Sequence, residues 1–111
     1  MVEKIIVSIN PNVVDYLDKL TFRLYEAEYF SYIENADQYV LDIYAAIEPA
    51  INNKKHKQTP FVLLSYGEFY VSYKTTERTA WYIFFSRKEN RVVVKHITNN
   101  HVADASFLEH L

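Results

Sequence analysis

The sequence predicts an α+β fold in which two helices pack on one face of an antiparallel sheet. Two runs of apolar residues at helical spacing occupy the first half of the chain. Three runs rich in Val, Ile, Tyr, Phe and Trp then follow one another, and their connections are short enough to force antiparallel neighbours. The order strand, helix, helix, three strands indicates one domain over residues 1–111 and a sheet of about four strands.

A short strand and a long amphipathic helix open the chain. Lys4–Ile9 alternates apolar residues as a largely covered strand does. Asn10 is a favoured residue before a helix, and Pro11 is tolerated at the first helical position because its missing N–H would be unpaired there. Asn12 to about Phe30 therefore forms the first helix, and its apolar stripe consists of Val13, Leu17, Leu20, Leu24 and Ala27.

The second helix is predicted from about Asn35 to Glu48. Pro49 should kink or end it, because an internal proline removes a hydrogen bond and clashes with the preceding turn. A polar, basic linker, Asn52–Pro60, precedes Phe61–Leu64, which is either an extra strand or a packed irregular segment. We expect one shared core made of Leu17, Leu20, Leu24, Val40, Ile43, Ile47, Trp81, Ile83, Phe85, Val92 and Val94.

The meander makes up the last third of the chain. Its predicted strands are Glu68–Thr75, Arg78–Ser86 and Arg91–Thr98, and the turns are Thr76–Glu77 and Arg87–Asn90. After it, Val102–Leu111 could form one helical turn or a frayed tail.

Composition narrows the possible functions. The chain has no cysteine, which excludes a disulfide framework and a thiolate nucleophile. The N-terminus lacks the features of a secretory signal, and no apolar run approaches the roughly 18 residues that span a bilayer. We therefore expect a cytoplasmic protein, intact from Met1, with no membrane partner. The ten Tyr residues fit either a core that reaches the surface or a binding surface.

Charge is distributed unevenly along an acidic chain. The formal net charge of −2 argues mildly against a protein whose main task is to hold nucleic acid. However, acids concentrate between Asp15 and Glu48, while basic residues lie on or beside the predicted strands. Four scattered His residues without metal-ligand spacing, and a single glycine, give no reason to expect a metal, a nucleotide or another cofactor.

Three segments of the meander carry a recognisable pattern: Gly67–Lys74, Thr79–Phe85 and Arg91–His101. Together with the order of elements, they resemble the RelE/ParE superfamily of toxins from bacterial toxin–antitoxin pairs, and in particular its divergent plasmid-stabilisation branch. They resemble the family's Tyr-bearing strand, its aromatic strand and its Val-rich strand ending in a polar, His-containing segment. The resemblance implies a cognate antitoxin as partner. It also implies growth inhibition by RelE-like cleavage of mRNA in the ribosome or, alternatively, by ParE-like inhibition of DNA gyrase without catalysis.

RNA cleavage needs a base for the 2′-hydroxyl, a cation for the developing charge and an acid for the leaving oxygen. The resemblance implies that strand-borne cations and histidines supply these groups, and the candidates are Lys74, Arg78, Arg87, Lys95, His96 and His101. No Tyr follows Tyr82 and no Arg follows Arg91, so proton transfer would fall to the histidines. If the proton-transfer groups are lost, a degenerate toxin that acts as an interaction module is the alternative.

Each candidate also has a purely structural interpretation. With regular alternation His96 shares a face with Val92 and Val94, which indicates either a half-buried core histidine or a site residue. His101 lies just past the strand, as a polar rim residue or a catalytic one. The basic run 54–57 is either a solvated loop or a phosphate contact. The four strand cations could cover the sheet with their long stems or form one basic concavity.

Overall fold

In the part of the chain that the structure describes, two α-helices and five strands form a two-layer α+β structure. The structure is a computed structural model, and it describes residues 5–28, 30–53 and 55–101. In chain order the elements are β1 (Ile6–Ile9), α1 (Pro11–Glu26), α2 (Ile33–Asn53), β2 (Lys57–Gln58), a 3₁₀ helix (Phe61–Tyr66), β3 (Phe69–Thr76), β4 (Thr79–Lys88) and β5 (Arg91–Asn99). The open sheet has the order β1-β5-β4-β3-β2. The predicted α+β class is confirmed, and the two-residue β2 makes the sheet one strand larger than expected.

The expectation of a wholly antiparallel sheet is wrong: the sheet is mixed, because β1 lies parallel to β5. β1 pairs with β5 in parallel, whereas β2, β3, β4 and β5 pair antiparallel in sequence. The helical hairpin fills the connection that two parallel neighbours require. It thereby lies against one face of the sheet. We call the opposite side the outer face.

α1 begins where the sequence predicts and ends earlier. Pro11 is its first residue, but the Asn10 side chain makes no capping hydrogen bond; the Asn10 carbonyl accepts the Val13 and Val14 N–H groups instead. The helix ends at Glu26 and not near Phe30, because Glu28 adopts a left-handed conformation (φ 62°) that no helix continues through.

α2 continues past the proline that was expected to kink or end it. It runs to Asn53, one turn beyond Pro49. That last turn buries Ala50 and Ile51, each 4% exposed, in the core. Burying an Ile side chain contributes about 1.5–3 kcal/mol, comparable to the roughly 3 kcal/mol cost of an internal proline. Packing therefore offsets the local penalty.

The core lies between the hairpin and the sheet. Ten of the eleven predicted core residues are buried in one cluster, and the eleventh, Leu24, packs against it partly exposed. Ile43, Ile83, Phe85 and Val94 have no exposed surface. The predicted shared core is confirmed.

A smaller apolar cluster covers part of the outer face. Leu63 from the 3₁₀ helix packs on Tyr70, Tyr82 and Phe84 of the sheet. Phe61–Leu64 is therefore the packed irregular segment and not an extra strand. Gly67 follows it in an extended, positive-φ conformation (φ 152°) that lets the chain pass directly over β4.

A β-bulge inverts the alternation of β5. Phe84 faces His96 and Phe85 faces Val94, which leaves Lys95 without a partner residue. His96 consequently lies on the outer face with Phe84. The expectation that it shares a face with Val92 and Val94 is wrong, because one inserted residue reverses every side chain beyond it.

Candidate nucleic-acid interface

The two layers of the protein carry opposite charge. α1 and α2 contain seven acidic and two basic residues. The five strands contain six basic residues and no acidic one, while the segments that join them carry Glu68, Glu77 and Glu89. The six strand cations are Lys57, Lys74, Arg87, Lys88, Arg91 and Lys95, and all six are exposed. The positive meander inferred from the sequence thus belongs to the sheet layer of the fold.

Four of these cations lie on the outer face. Lys57 is opposite Tyr70 and Lys74 is opposite Ala80, and both partners belong to or pack on the outer apolar cluster. Lys88 lies four residues after Phe84 on β4, so its side chain is on the same, outer face. Arg91 is its partner residue on β5 and lies on that face too. The described residues form one ion pair, between Lys19 and Asp15 of α1 (3.0 Å). None of the four outer cations therefore forms an ion pair with a described carboxylate.

The four predicted cations do not meet in one concavity. Lys74 lies near the β3–β4 turn and Arg78 lies in that turn, whereas Arg87 lies at the far end of β4 and donates from Nε to the Glu89 carbonyl (2.8 Å). The nine-residue step from Arg78 to Arg87 spans on the order of 30 Å. Lys95 sits in the bulge, with its carbonyl bound by the Asn12 amide (3.0 Å). The expectation of a single basic concavity is therefore wrong.

A cleft opens at the end of the sheet that carries Arg78. Its volume is about 560 Å³, and it separates the helical hairpin from the ends of β3, β4 and β5. The lining residues are Leu24, Phe30, Tyr39, Thr76, Thr79, Trp81, Asn99 and His101. Its inner wall is aromatic, and its rim carries hydroxyl, amide and imidazole groups.

A chain of hydrogen bonds fixes the inner wall of the cleft. Trp81 Nε1, which can only donate, donates to Tyr39 Oη (3.0 Å). Thr75 Oγ1 donates to the Thr79 carbonyl (3.4 Å), so Tyr39 Oη must donate to Thr75 Oγ1 (2.9 Å). The chain couples α2 to the β3–β4 turn. Thr75 can take part because it is the bulged residue between Lys74 and Thr76.

His101 is held at the rim by the residues around it. The ring atom Nε2 of His101 lies 3.0 Å from Thr79 Oγ1, and the backbone N–H of His101 donates to Asn99 Oδ1 (2.9 Å). The Asn100 amide clamps the turn, accepting from the Ala80 N–H (3.1 Å) and donating to the Arg78 carbonyl (2.9 Å). The structure therefore brings His101 to the same turn as Arg78, where an imidazole and a guanidinium can act on one anionic group.

The other predicted histidine lies elsewhere. The His96 ring is half-buried and stacks on Tyr66, with ring centroids 3.9 Å apart and nearly parallel planes. It also lies 5.9 Å from the Phe84 ring. Thus His96 belongs to the outer face, whereas Trp81 and Asn99 of the cleft belong to the helix side of the sheet.

Sequence reasoning missed several residues of these surfaces. Tyr39 lies in the predicted second helix, but its hydroxyl role depends on a tertiary contact with Thr75. The Asn99–Asn100 pair just after a Val-rich strand was a usable signal, since short amides often hold turns. Lys57 was not among the predicted site residues, because it lies in the segment Asn52–Pro60 that was predicted to be a linker.

Comparison with protein-family models, curated proteins and solved structures finds no match for this chain. Within residues 5–28, 30–53 and 55–101, no helix has the length and apolar character needed to cross a bilayer. Over the same ranges, no three His, Asp or Glu side chains are grouped as metal ligands.

Proposed function

We propose that the protein is a cytoplasmic toxin of the RelE/ParE type, paired with a cognate antitoxin, and that it arrests growth by cleaving mRNA in the ribosome. The observation that carries this proposal is the set of six exposed cations on the strands, which themselves contain no acid. Affinity for RNA depends largely on neutralising phosphates. The four of these cations that lie on the outer face give a chain of net negative charge a positive surface for such a substrate.

The end of the sheet that carries the cleft offers a base and a cation for cleavage. As the 2′-oxygen attacks phosphorus and the bond to the 5′-oxygen breaks, that leaving oxygen would take its proton from solvent water. His101 could act as the general base that removes the proton of a 2′-hydroxyl. Its contact with Thr79 Oγ1 (3.0 Å) orients the ring. Arg78, in the turn that Asn100 clamps, could offset the charge that develops on the phosphorane.

The second candidate function is inhibition without catalysis, either of DNA gyrase or as a protein-interaction module. It is favoured by the separation of the candidate groups, because Arg87 lies on the order of 30 Å from Arg78 along β4 and His96 lies on the other face from the cleft. A binding function needs no such convergence. Exposed apolar side chains on the helices, such as Phe22 and Leu41, could contact the antitoxin in either case.

Expression of the chain alone in a bacterial host separates the two candidates. Growth, mRNA integrity and plasmid supercoiling are followed for the wild type, for R78A/H101A and for the matched control K19A/R23A, which removes two cations from the acidic helix layer. We expect mRNA cleavage that falls by about 100-fold or more in R78A/H101A, the usual scale for general acid–base groups, and is unchanged in the control. Growth arrest with intact mRNA and relaxed plasmid would contradict the nuclease and support gyrase inhibition.

A further inference from the structure

An apolar ridge projects from the middle of the positive outer face. In the 3₁₀ helix, Phe61 is 87% exposed, Val62 60% and Leu64 46%. Three residues per turn place Phe61 and Leu64 on the same side of this helix. Leu63 points the opposite way into the outer cluster and is buried. We call Phe61, Val62 and Leu64 the ridge.

The ridge does not serve the packing of the chain itself. Leu63 and Tyr66 attach the 3₁₀ helix to the sheet, Leu63 through Tyr70 and Phe84 and Tyr66 through its contact with the Phe84 ring (centroids 5.4 Å apart). A side chain as exposed as Phe61 removes almost no apolar area from water, so it adds little to folding. Three large apolar side chains in one short helix, held outward, are typical of a contact surface.

The surroundings of the ridge are cationic. Lys57 lies opposite Tyr70, which packs beneath Leu63, so this lysine borders the ridge on the outer face. Lys74, Lys88 and Arg91 lie further along the same face. Glu68, just before β3, is an exposed acid. The strands contribute four cations and no acid to the outer face, so the face around the ridge is positively charged.

We propose that the ridge is a stacking subsite for an unpaired base of single-stranded RNA, with Phe61 against the base and Lys57 on a neighbouring phosphate. This inference rests on the proposed function and adds a binding site remote from the cleft. An exposed aromatic ring among cations is how proteins hold single strands, because every base has a face on which a ring can stack. Bases inside a duplex hide those faces, so the subsite selects single strands.

The test uses the full chain and a fluorescein-labelled 12-nucleotide RNA of mixed sequence, followed by anisotropy. F61A should weaken binding by roughly 10-fold, within the range measured for loss of one stacked base. F22A removes an exposed Phe (59%) from the acidic helix layer and should leave binding unchanged. K57A should lower the dependence of log K on log salt by about one phosphate contact, whereas F61A should not. Unchanged unfolding midpoints show that the variants fold.

The variant F61W tests base stacking directly, through its tryptophan fluorescence. The wild-type chain has one tryptophan, Trp81, which is buried beside the cleft, so quenching of F61W beyond that of the wild type reports position 61. Stacking predicts that RNA quenches its emission and that F61W retains wild-type affinity. Equal affinity of wild type and F61A, or quenching by anionic phosphatidylserine vesicles but not by RNA, overturns the subsite. If F61A still cleaves mRNA at the wild-type rate and binds RNA equally well, the subsite fails and the proposed function stands. If growth stops with mRNA intact while RNA still quenches F61W emission, the subsite stands and the proposed nuclease function fails.

Discussion

Replacing Gly67 by Ala tests how the 3₁₀ helix is seated on the sheet. A Cβ at this position would lie 2.8 Å from the Phe85 nitrogen, 3.1 Å from the Phe85 oxygen and 3.2 Å from the Phe84 carbonyl carbon. These are backbone atoms in the middle of β4, so no side-chain rotation can relieve the contact. The backbone dihedrals (φ 152°, ψ 157°) also belong to a region that is essentially restricted to glycine.

The expected cost follows from these two terms. Inserting a methyl group into a packed site costs about 1–3 kcal/mol, and holding a non-glycine residue in this conformation costs about 1–3 kcal/mol. G67A should therefore lower the free energy of unfolding by about 2–6 kcal/mol, a large share of the roughly 5–15 kcal/mol of a small domain.

Urea denaturation followed by far-UV circular dichroism measures that loss, with S65A, an exposed change in the same segment, as the control. We expect the midpoint to fall sharply for G67A and to move little for S65A, with similar slopes. A loss below about 1 kcal/mol for G67A would refute the close approach of Gly67 to β4.

Three further predictions concern stability. Ile43→Ala, at a site with no exposed surface, should cost about 2–5 kcal/mol in urea denaturation. The same change at Leu41, half exposed on the same helix, should cost under about 1 kcal/mol, and equal losses would show that α2 is rotated. Glu89 is held at φ 57°, so Glu89→Gly should stabilise by about 1 kcal/mol, and a loss of thermal stability would contradict the turn conformation. Burial raises the pKa of the Tyr70 hydroxyl, and the neighbouring Tyr82 adds to the shift. The unfolded chain therefore loses this proton first, so the stability from the neutral phenol is complete below about pH 10 and is lost as pH rises further. Since this hydroxyl has no hydrogen-bond partner among the described residues, Tyr70→Phe should not destabilise at pH 7 and should flatten the decline in urea midpoint above about pH 10. An unchanged decline would count against Tyr70 as its source.

Local patterns predict this fold well where packing and propensity agree. The strands of the meander and the stripe of α1 follow from residue type and spacing, and the core around Ile43 and Val94 was predicted from them. Prediction failed where tertiary contacts override local rules. The last turn of α2 survives Pro49 because Ile51 is buried, and no local propensity contains that information.

The candidate site was harder to predict than the fold. The run Val94, Lys95, His96 reads as a regular strand, yet the bulge at Lys95 moves His96 to the opposite face. The bulge therefore places His96 on the outer face, away from the cleft that His101 borders. The role of Tyr39 depends on contacts with Thr75 and Trp81, 36 and 42 residues away, which periodicity cannot anticipate.

The net charge of the chain is a poor guide to its partner because the two layers are electrostatically separate. At physiological ionic strength the interaction between exposed charges is screened over about 8 Å. A helix with its side chains is about 10–12 Å across, so the acids on the far side of the hairpin lie beyond that distance from the outer face of the sheet. An RNA approaching the outer face meets Lys57, Lys74 and Arg91 and little of the acidic layer. The negative total charge therefore does not oppose binding there, and it instead favours one orientation of the polyanion, with the helices turned away.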